Sequence, residues 1–350
     1  MSLGAAGWSW HDPLRPPIAV AGFAWLHEEG IYRRFPVMPP HPLPEAVDYL
    51  ARHTAGGQIR FRTDSSRLAI RVRLAGPSDM YHMPATGQSG FDCYEEAEGA
   101  LHYRSTARFG ADEAEYEAVL IEHGSGKMRT IVLNFPLYQG VEEVSVGLAP
   151  EAAIEAPPAY DRSGKIIVYG TSITQGACAS RPGMCYTNVL SRRINMEFIN
   201  LGFSGSGKGE PEVARNIAAI SDPACLVLDY EANSVSPELY AETLPQFIRI
   251  YREAHPEVPI LVLSRILFAN QLFDEKAREM QQKRKAMQIE LVRSLREAGD
   301  AHIRFFDGET LLRRHGQDCT VDGIHPTDLG LMQMADGLEP VIREMLGTVA

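Results

Sequence analysis

Apolar and polar residues alternate over much of the first 150 positions. In Arg67–Leu74 the apolar side chains fall at 68, 70, 72 and 74. That is the period-two rhythm of a strand with one buried face. Arg129–Phe135 and Val144–Leu148 repeat it, and Leu101–Ser105 and Tyr116–Ile121 are further strand candidates. Gly and Pro interrupt these runs at short intervals, which predicts an all-β sandwich or jelly roll. One short helix is expected around Pro44–Arg52.

From Ala149 to Gly164 the chain is rich in Ala, Pro and Glu, with Pro157-Pro158 at the centre. It reads as a linker. The rhythm then changes. Short apolar runs at Lys165–Tyr169, Glu197–Leu201, Cys225–Asp229, Ile260–Ser264 and Ile303–Phe306 are separated by amphipathic stretches, the longest from about Leu272 to Ala298. Five strands interleaved with helices predict an α/β domain, a parallel five-stranded sheet covered on both faces. The expected organisation is a β-sandwich at 1–150, a linker at 151–164 and a three-layer α/β/α domain at 165–350. There is no internal repeat or low-complexity tract.

Composition narrows the partners. A chain of 350 residues suggests about two domains. A net charge of −11 argues against general affinity for nucleic acid or anionic membrane. No apolar segment approaches the length of a membrane span. The run Ile18–Trp25 lacks the preceding basic cluster of a secretion signal. The chain as given reads as cytoplasmic, although a cleaved leader would leave the same picture. The five cysteines, Cys93, Cys178, Cys185, Cys225 and Cys319, form no CxxC pair. Free thiols are expected, with Cys178–Cys185 pairing the alternative in an oxidising compartment. No cofactor and no metal site is expected.

Ligands of open α/β sheets bind at the carboxyl ends of the strands. There the sequence sets Gly170-Thr-Ser172-Ile-Thr174, Asn200-Leu-Gly-Phe-Ser-Gly205, Asp229-Tyr-Glu-Ala-Asn233 and, after the fifth strand, Asp322-Gly-Ile-His325-Pro326. A hydroxyl, a flexible turn, an amide, a carboxylate and an imidazole are the groups acyl transfer needs. Ser172 is the candidate nucleophile, His325 its base and Asp322 the acid that orients the ring. The N–H groups of Ser172 and Gly205 and the side-chain amide of Asn233 are candidate oxyanion donors. Each residue has a plainer alternative. Ser172 can cap the following helix, Asp322 and His325 can cap the last one, Asn233 can satisfy a turn, and Gly205 can simply permit a positive φ. Arg265, just past the fourth strand, is placed either to touch substrate or to pair with an acid. His82, in Tyr81-His-Met-Pro84, is a candidate substrate contact if its loop reaches the site.

Together these blocks resemble the SGNH (GDSL-like) hydrolases, named for Ser, Gly, Asn and His in four blocks. The resemblance runs from about Lys165 to Met345 and implies a serine esterase without metal or cofactor. Two blocks depart from the family pattern. Thr171 stands where Asp is usual, and Glu231-Ala-Asn233-Ser234 replaces Gly-x-Asn-Asp. The first half resembles the sandwich that precedes one SGNH subgroup and carries a Gly-x-Asp-Leu-Tyr motif. Here that motif reads Gly90-Phe-Asp92-Cys93-Tyr94. Analogy with carbohydrate acetylesterases implies short acyl groups on sugars as substrates, and a homo-oligomer is compatible with it. Two other classes compete. Gly202-Phe-Ser-Gly-Ser-Gly-Lys208 fits a nucleotide-binding P-loop, but Gly209 stands where a Ser or Thr would hold Mg²⁺. An inactive glycan-binding protein is the other, against which the complete Ser-Asp-His set speaks.

Overall fold

The structure, a computed structural model, describes residues 7–347. The outermost residues of the expected domains, 1–6 and 348–350, lie outside it. These include the first of those weighed for a leader.

Among the described residues, ten strands occupy the first half: β1 Ser9–His11, β2 Ala19–Ala21, β3 Gln58–Thr63, β4 Leu68–Leu74, β5 Asp92–Ala97, β6 Ala100–Thr106, β7 Glu115–Ile121, β8 Arg129–Asn134, β9 Val141–Leu148 and β10 Ile154–Glu155. One sheet runs β1-β9-β4-β7, and the other β10-β3-β8-β5-β6 with β2 beside β3. The pairings are antiparallel. Their facing sides share one core that includes Ile59, Phe61, Ile70, Val72, Ile131, Leu133 and Val146. This is a β-sandwich.

Strand β3 was not anticipated, although Ile59 and Phe61 alternate in it. Two of its outward residues, Gln58 and Arg60, are buried too, because 158–160 lie over them. Tyr160 donates its hydroxyl to Gln58 Oε1, while Arg60 donates to Pro158 O and stacks on the Tyr160 ring. The Ala/Pro-rich stretch thus lies against the sandwich, and its Ile154 pairs with Thr63.

The second half is a parallel sheet of β11 Lys165–Gly170, β12 Glu197–Gly202, β13 Pro223–Asp229, β14 Ile260–Leu263 and β15 Ile303–Phe306, in the order β12-β11-β13-β14-β15. Successive side chains on a strand point to opposite faces. Accordingly Ile166 and Val168 pack with the helices Tyr186–Ile194 and Asp328–Met345. Ile167 and Tyr169 pack with the helices Pro211–Ala218, Pro237–Ala254 and Glu275–Glu297. Burial on both faces explains why these strands read as continuous apolar runs. The chain leaves β11 for a neighbour on one side and later returns on the other, so the crevice between β11 and β13 is the topological switch point.

The two halves are pinned together by buried polar contacts. Asp92, fully buried, accepts from Arg181 Nη1 and from the Gly183 N–H, each at 2.8 Å, and from Asn134 Nδ2. Tyr94 Oη accepts from Arg181 Nη1 at 2.7 Å. The Asp and Tyr of the Gly-x-Asp motif therefore join the halves, while Cys93 fills the sandwich core as Leu would. Arg34, also fully buried, donates to the carbonyls of Gly202 and Asn200 at the end of β12 and to those of His53 and Leu50. Four carbonyls offset the desolvation of that guanidinium.

Candidate active site

Each polar block sits at the carboxyl end of its strand. After β11 the chain turns at once into the helix Ser172–Gln175. The N-cap of that helix is Thr171, whose hydroxyl accepts the Ile173 N–H. The capping role proposed for Ser172 thus belongs to its neighbour. The Ser172 carbonyl is fixed by the Tyr138 hydroxyl of the sandwich half at 3.1 Å and by the N–H groups of Gly176 and Ala177. The side chain is left to face the crevice, where Oγ lies 2.9 Å from His325 Nε2.

His325 sits on a loop that its own polar atoms hold. Asp322 Oδ1 accepts the N–H groups of Ile324 at 3.0 Å and His325 at 2.8 Å, while Oδ2 lies 2.7 Å from His325 Nδ1. The Val321 N–H donates to His325 O, and the Ala269 N–H reaches across to Gly323 O. Asp322 accepts, so Nδ1 carries the ring proton and Nε2 is free to take one from Ser172. Burial pushes the Asp322 carboxyl up, but the hydrogen bonds from His325 and Ile324 outweigh it and hold the group below its ordinary value. The last helix, Asp328–Met345, has Thr327 at its N-cap and no side-chain cap bond. Asp322 and His325 do not serve it.

The other two blocks meet beside this row. Gly205 has φ +67°, and a Cβ there would meet nothing within 4 Å. Conformation, not crowding, selects glycine there. Asn233 ends a short 3₁₀ turn from Glu231, and its Nδ2 donates to Phe203 O at 3.2 Å, two residues before Gly205. The N–H groups of Ser172 and Gly205 have no hydrogen-bond partner among the described residues. Gln175 carries the turn. Its Oε1 accepts the Ser204 N–H at 3.1 Å, and its Nε2 contacts His53 Nδ1 at 3.0 Å. Burial first, and the charge of Arg34 second, lower the His53 pKa to about 3, so its ring stays neutral. The chain from His53 through Gln175 to Ser204 links the sandwich half to the candidate oxyanion turn. In the sequence only the position of Gln175, three residues after Ser172, marks it.

The loop of His82 reaches the site. Its ring centroid lies 5.5 Å from that of His325 at 65°, and Tyr81 stacks on it at 4.5 Å. Gln88 holds the loop by accepting the N–H groups of Asp79 and Met80. Met83 inserts into the core of the α/β half. Gly87 lies so close to Ala179 that a Cβ would come within 2.0 Å of its carbonyl oxygen. Arg265 instead sits in the protein interior. Its Nε is 2.5 Å from Gln281 Oε1 and 3.8 Å from Glu231 Oε1, and its N–H donates to Glu231 Oε2. Pairing with an acid accounts for its guanidinium. Glu231, missed from sequence, supports the turn of Asn233 from beneath, with Gln288 donating to it and Arg284 donating to Ser234 O.

The P-loop alternative loses its cradle. The N–H groups of Ser206 and Gly207 donate to Phe203 O, that of Gly209 donates to Tyr169 Oη, and that of Ser204 goes to Gln175. Few amides are left for a phosphate. All five cysteines are buried and free. No helix among the described residues is long and apolar enough to cross a membrane.

Asp229, at the end of β13 and largely buried, accepts from Thr174 Oγ1 at 2.7 Å and Tyr186 Oη at 2.8 Å. Burial raises its pKa to about 7 despite these donors. The unfolded carboxyl titrates near 4. The folded protein therefore holds a proton that the unfolded chain releases, and stability from this group falls as pH rises from about 4 through about 7. Asp229→Asn keeps an acceptor oxygen and removes the titration. The difference in Tm between wild type and variant is expected to shift in the variant's favour between pH 5 and 8. A difference constant with pH would refute this.

A β-sandwich joined to a parallel α/β/α domain with acyl-transfer groups along one sheet edge is the build of a carboxylic ester hydrolase. The chain belongs to the GDSL-like lipase/acylhydrolase family, whose model matches residues 163–343. A second model, for the GxDLY N-terminus of SGNH-hydrolase-type esterases, matches residues 8–154. Among solved structures, a Bacteroides ovatus ATCC 8483 protein described as a GDSL-like lipase is similar over 97% of this chain and 98% of its own, with 29% identity and a TM-score of 0.87. The salicylyl-acyltransferase SsfX3 from a tetracycline biosynthetic pathway shares the fold at a TM-score of 0.78, with 20% identity over 99% of both chains. So does a family two carbohydrate esterase from Clostridium thermocellum, solved with cellohexaose, at a TM-score of 0.60 and 15% identity over 94% of this chain and 99% of that one. No curated protein matches the chain.

Proposed function

We propose that this esterase works through an acyl-enzyme on Ser172 and takes short acyl esters, acetyl above all, of carbohydrates. The observation that carries the mechanism is the unbroken row from Ser172 Oγ through His325 to Asp322, with links of 2.9 and 2.7 Å. Ser172 Oγ attacks the ester carbonyl carbon as its proton passes to His325 Nε2, and Asp322 stabilises the imidazolium. The oxyanion takes hydrogen bonds from the N–H groups of Ser172 and Gly205 and, after Nδ2 turns from Phe203 O, from Asn233. The C–O bond to the alcohol then breaks, and His325 returns the proton to the leaving oxygen. Water, activated by the same base, releases the carboxylic acid. The expected domain limits, with the sandwich up to 150 and the hydrolase from 165, are part of this reading.

The carbohydrate assignment rests on Tyr81. It is 92% exposed and stacked on His82, next to His325. A flat apolar ring with a polar tip suits one face of a sugar. The named ligand of the Clostridium thermocellum neighbour fits the same reading. A panel of p-nitrophenyl esters of increasing chain length, with acetylated mono- and oligosaccharides, tests it. Acetate should be the preferred acyl group. Tyr81→Ala should raise KM for an acetylated sugar about tenfold, the scale of a lost aromatic contact, while leaving p-nitrophenyl acetate hydrolysis unchanged. Preference for long-chain esters, or no effect of Tyr81→Ala on the sugar, would overturn the substrate assignment.

A further inference from the structure

We infer that His82, Cys178 and His325 form a binding site for a thiophilic divalent cation of the zinc and cadmium class, and that its occupancy turns the esterase off. One ligand atom from each of the three residues lies within 4.8 Å of the others. Two imidazoles and one thiol are a donor set such cations favour. Metal–ligand bonds of about 2.0–2.3 Å leave tetrahedral ligands roughly 3.5 Å apart, so the three need close in by only about 1 Å.

The site is built from three segments. His82 comes from the sandwich loop and His325 from the last loop. Cys178 follows the nucleophile helix with φ +65°. The unliganded arrangement leaves donors unspent. His82 Nδ1 is buried without a hydrogen-bond partner, which costs free energy that a bound cation would recover. The Cys178 thiol likewise has no hydrogen bond among the described residues. Asp322 already accepts the Nδ1 proton of His325. A carboxylate in that place behind a histidine strengthens the opposite nitrogen as a metal ligand. Binding displaces the thiol proton to solvent, so a thiolate meets the cation. His325 Nε2 then gives its lone pair to the metal and loses Ser172 Oγ. Loss of activity on binding rests on the proposed role of His325 as base. Binding itself does not.

Cobalt(II) is the probe, since thiolate ligation gives it a near-ultraviolet charge-transfer band. Wild type and Ser172→Ala should each bind one equivalent with that band, and Cys178→Ala should lack it. Zinc should inhibit wild-type hydrolysis of p-nitrophenyl acetate reversibly, with full recovery on chelation. Cys178→Ala should hydrolyse the ester normally in the absence of metal and need at least about tenfold more zinc for the same inhibition. If it does not fold, Cys178→Ser serves, with the same expectations. Absence of the band in wild type, or equal zinc sensitivity in the cysteine variant, would overturn the site. A band with undiminished catalysis would refute the inhibition and count against His325 as base.

Discussion

Ser172→Ala should lower kcat for p-nitrophenyl acetate by about 10⁴–10⁶, the scale seen when a serine nucleophile is removed. The loss should fall on kcat, because in the proposed mechanism the hydroxyl forms the acyl-enzyme and does not hold substrate. Folding should be untouched. The structural duties of residue 172 belong to its backbone, whose carbonyl takes the Tyr138 hydroxyl and two N–H groups, while Thr171 caps the helix. Among the described residues, only the bond from Oγ to His325 is lost. The stability change should lie within about 0.5 kcal/mol. Thermal unfolding beside the assay separates a lost nucleophile from a lost fold, and retained activity in a folded variant would sink the mechanism.

Asp322→Asn should cost about 10⁴ in kcat with the loop intact. The amide keeps an oxygen to accept the N–H groups of Ile324 and His325. Its NH₂, turned toward His325 Nδ1, would make that nitrogen the acceptor and place the ring proton on Nε2, facing Ser172. A ring so protonated cannot take the serine proton. In wild type the carboxyl is held below its ordinary pKa by the hydrogen bonds from His325 and Ile324, which favours the ionised form that accepts the Nδ1 proton. A kcat within a factor of ten of wild type, with the fold retained, would remove Asp322 from the mechanism.

The catalytic half was legible because its signals are local. The inner strands are buried on both faces and read as apolar runs, and three of the four polar blocks follow their strands within a few residues, the Asp322–His325 block coming after a longer loop. A parallel sheet then brings those strand ends to one edge, so that Ser172 and His325, 153 positions apart, meet. What was not legible depends on contact across the halves. Ile59 and Phe61 do alternate, but the polar Gln58 and Arg60 are covered by 158–160, a stretch whose Ala and Pro content suggested a linker. Arg34 looks like any surface arginine until β12 supplies carbonyls for it. Arg265 stands after a strand, as a substrate contact would, yet a buried acid two residues before Asn233 takes its charge. His82 was suggested by composition alone, and its neighbour His325 appears only once the sandwich loop is placed on the catalytic half.

The central claim is that one serine carries the acyl group. Reaction with a fluorophosphonate, followed by peptide mass spectrometry, tests it most directly. The account predicts one phosphonyl group on Ser172, formed in step with the loss of esterase activity and absent from Ser172→Ala. Full activity after exhaustive treatment, or inactivation that tracks a label on a different residue, would contradict it.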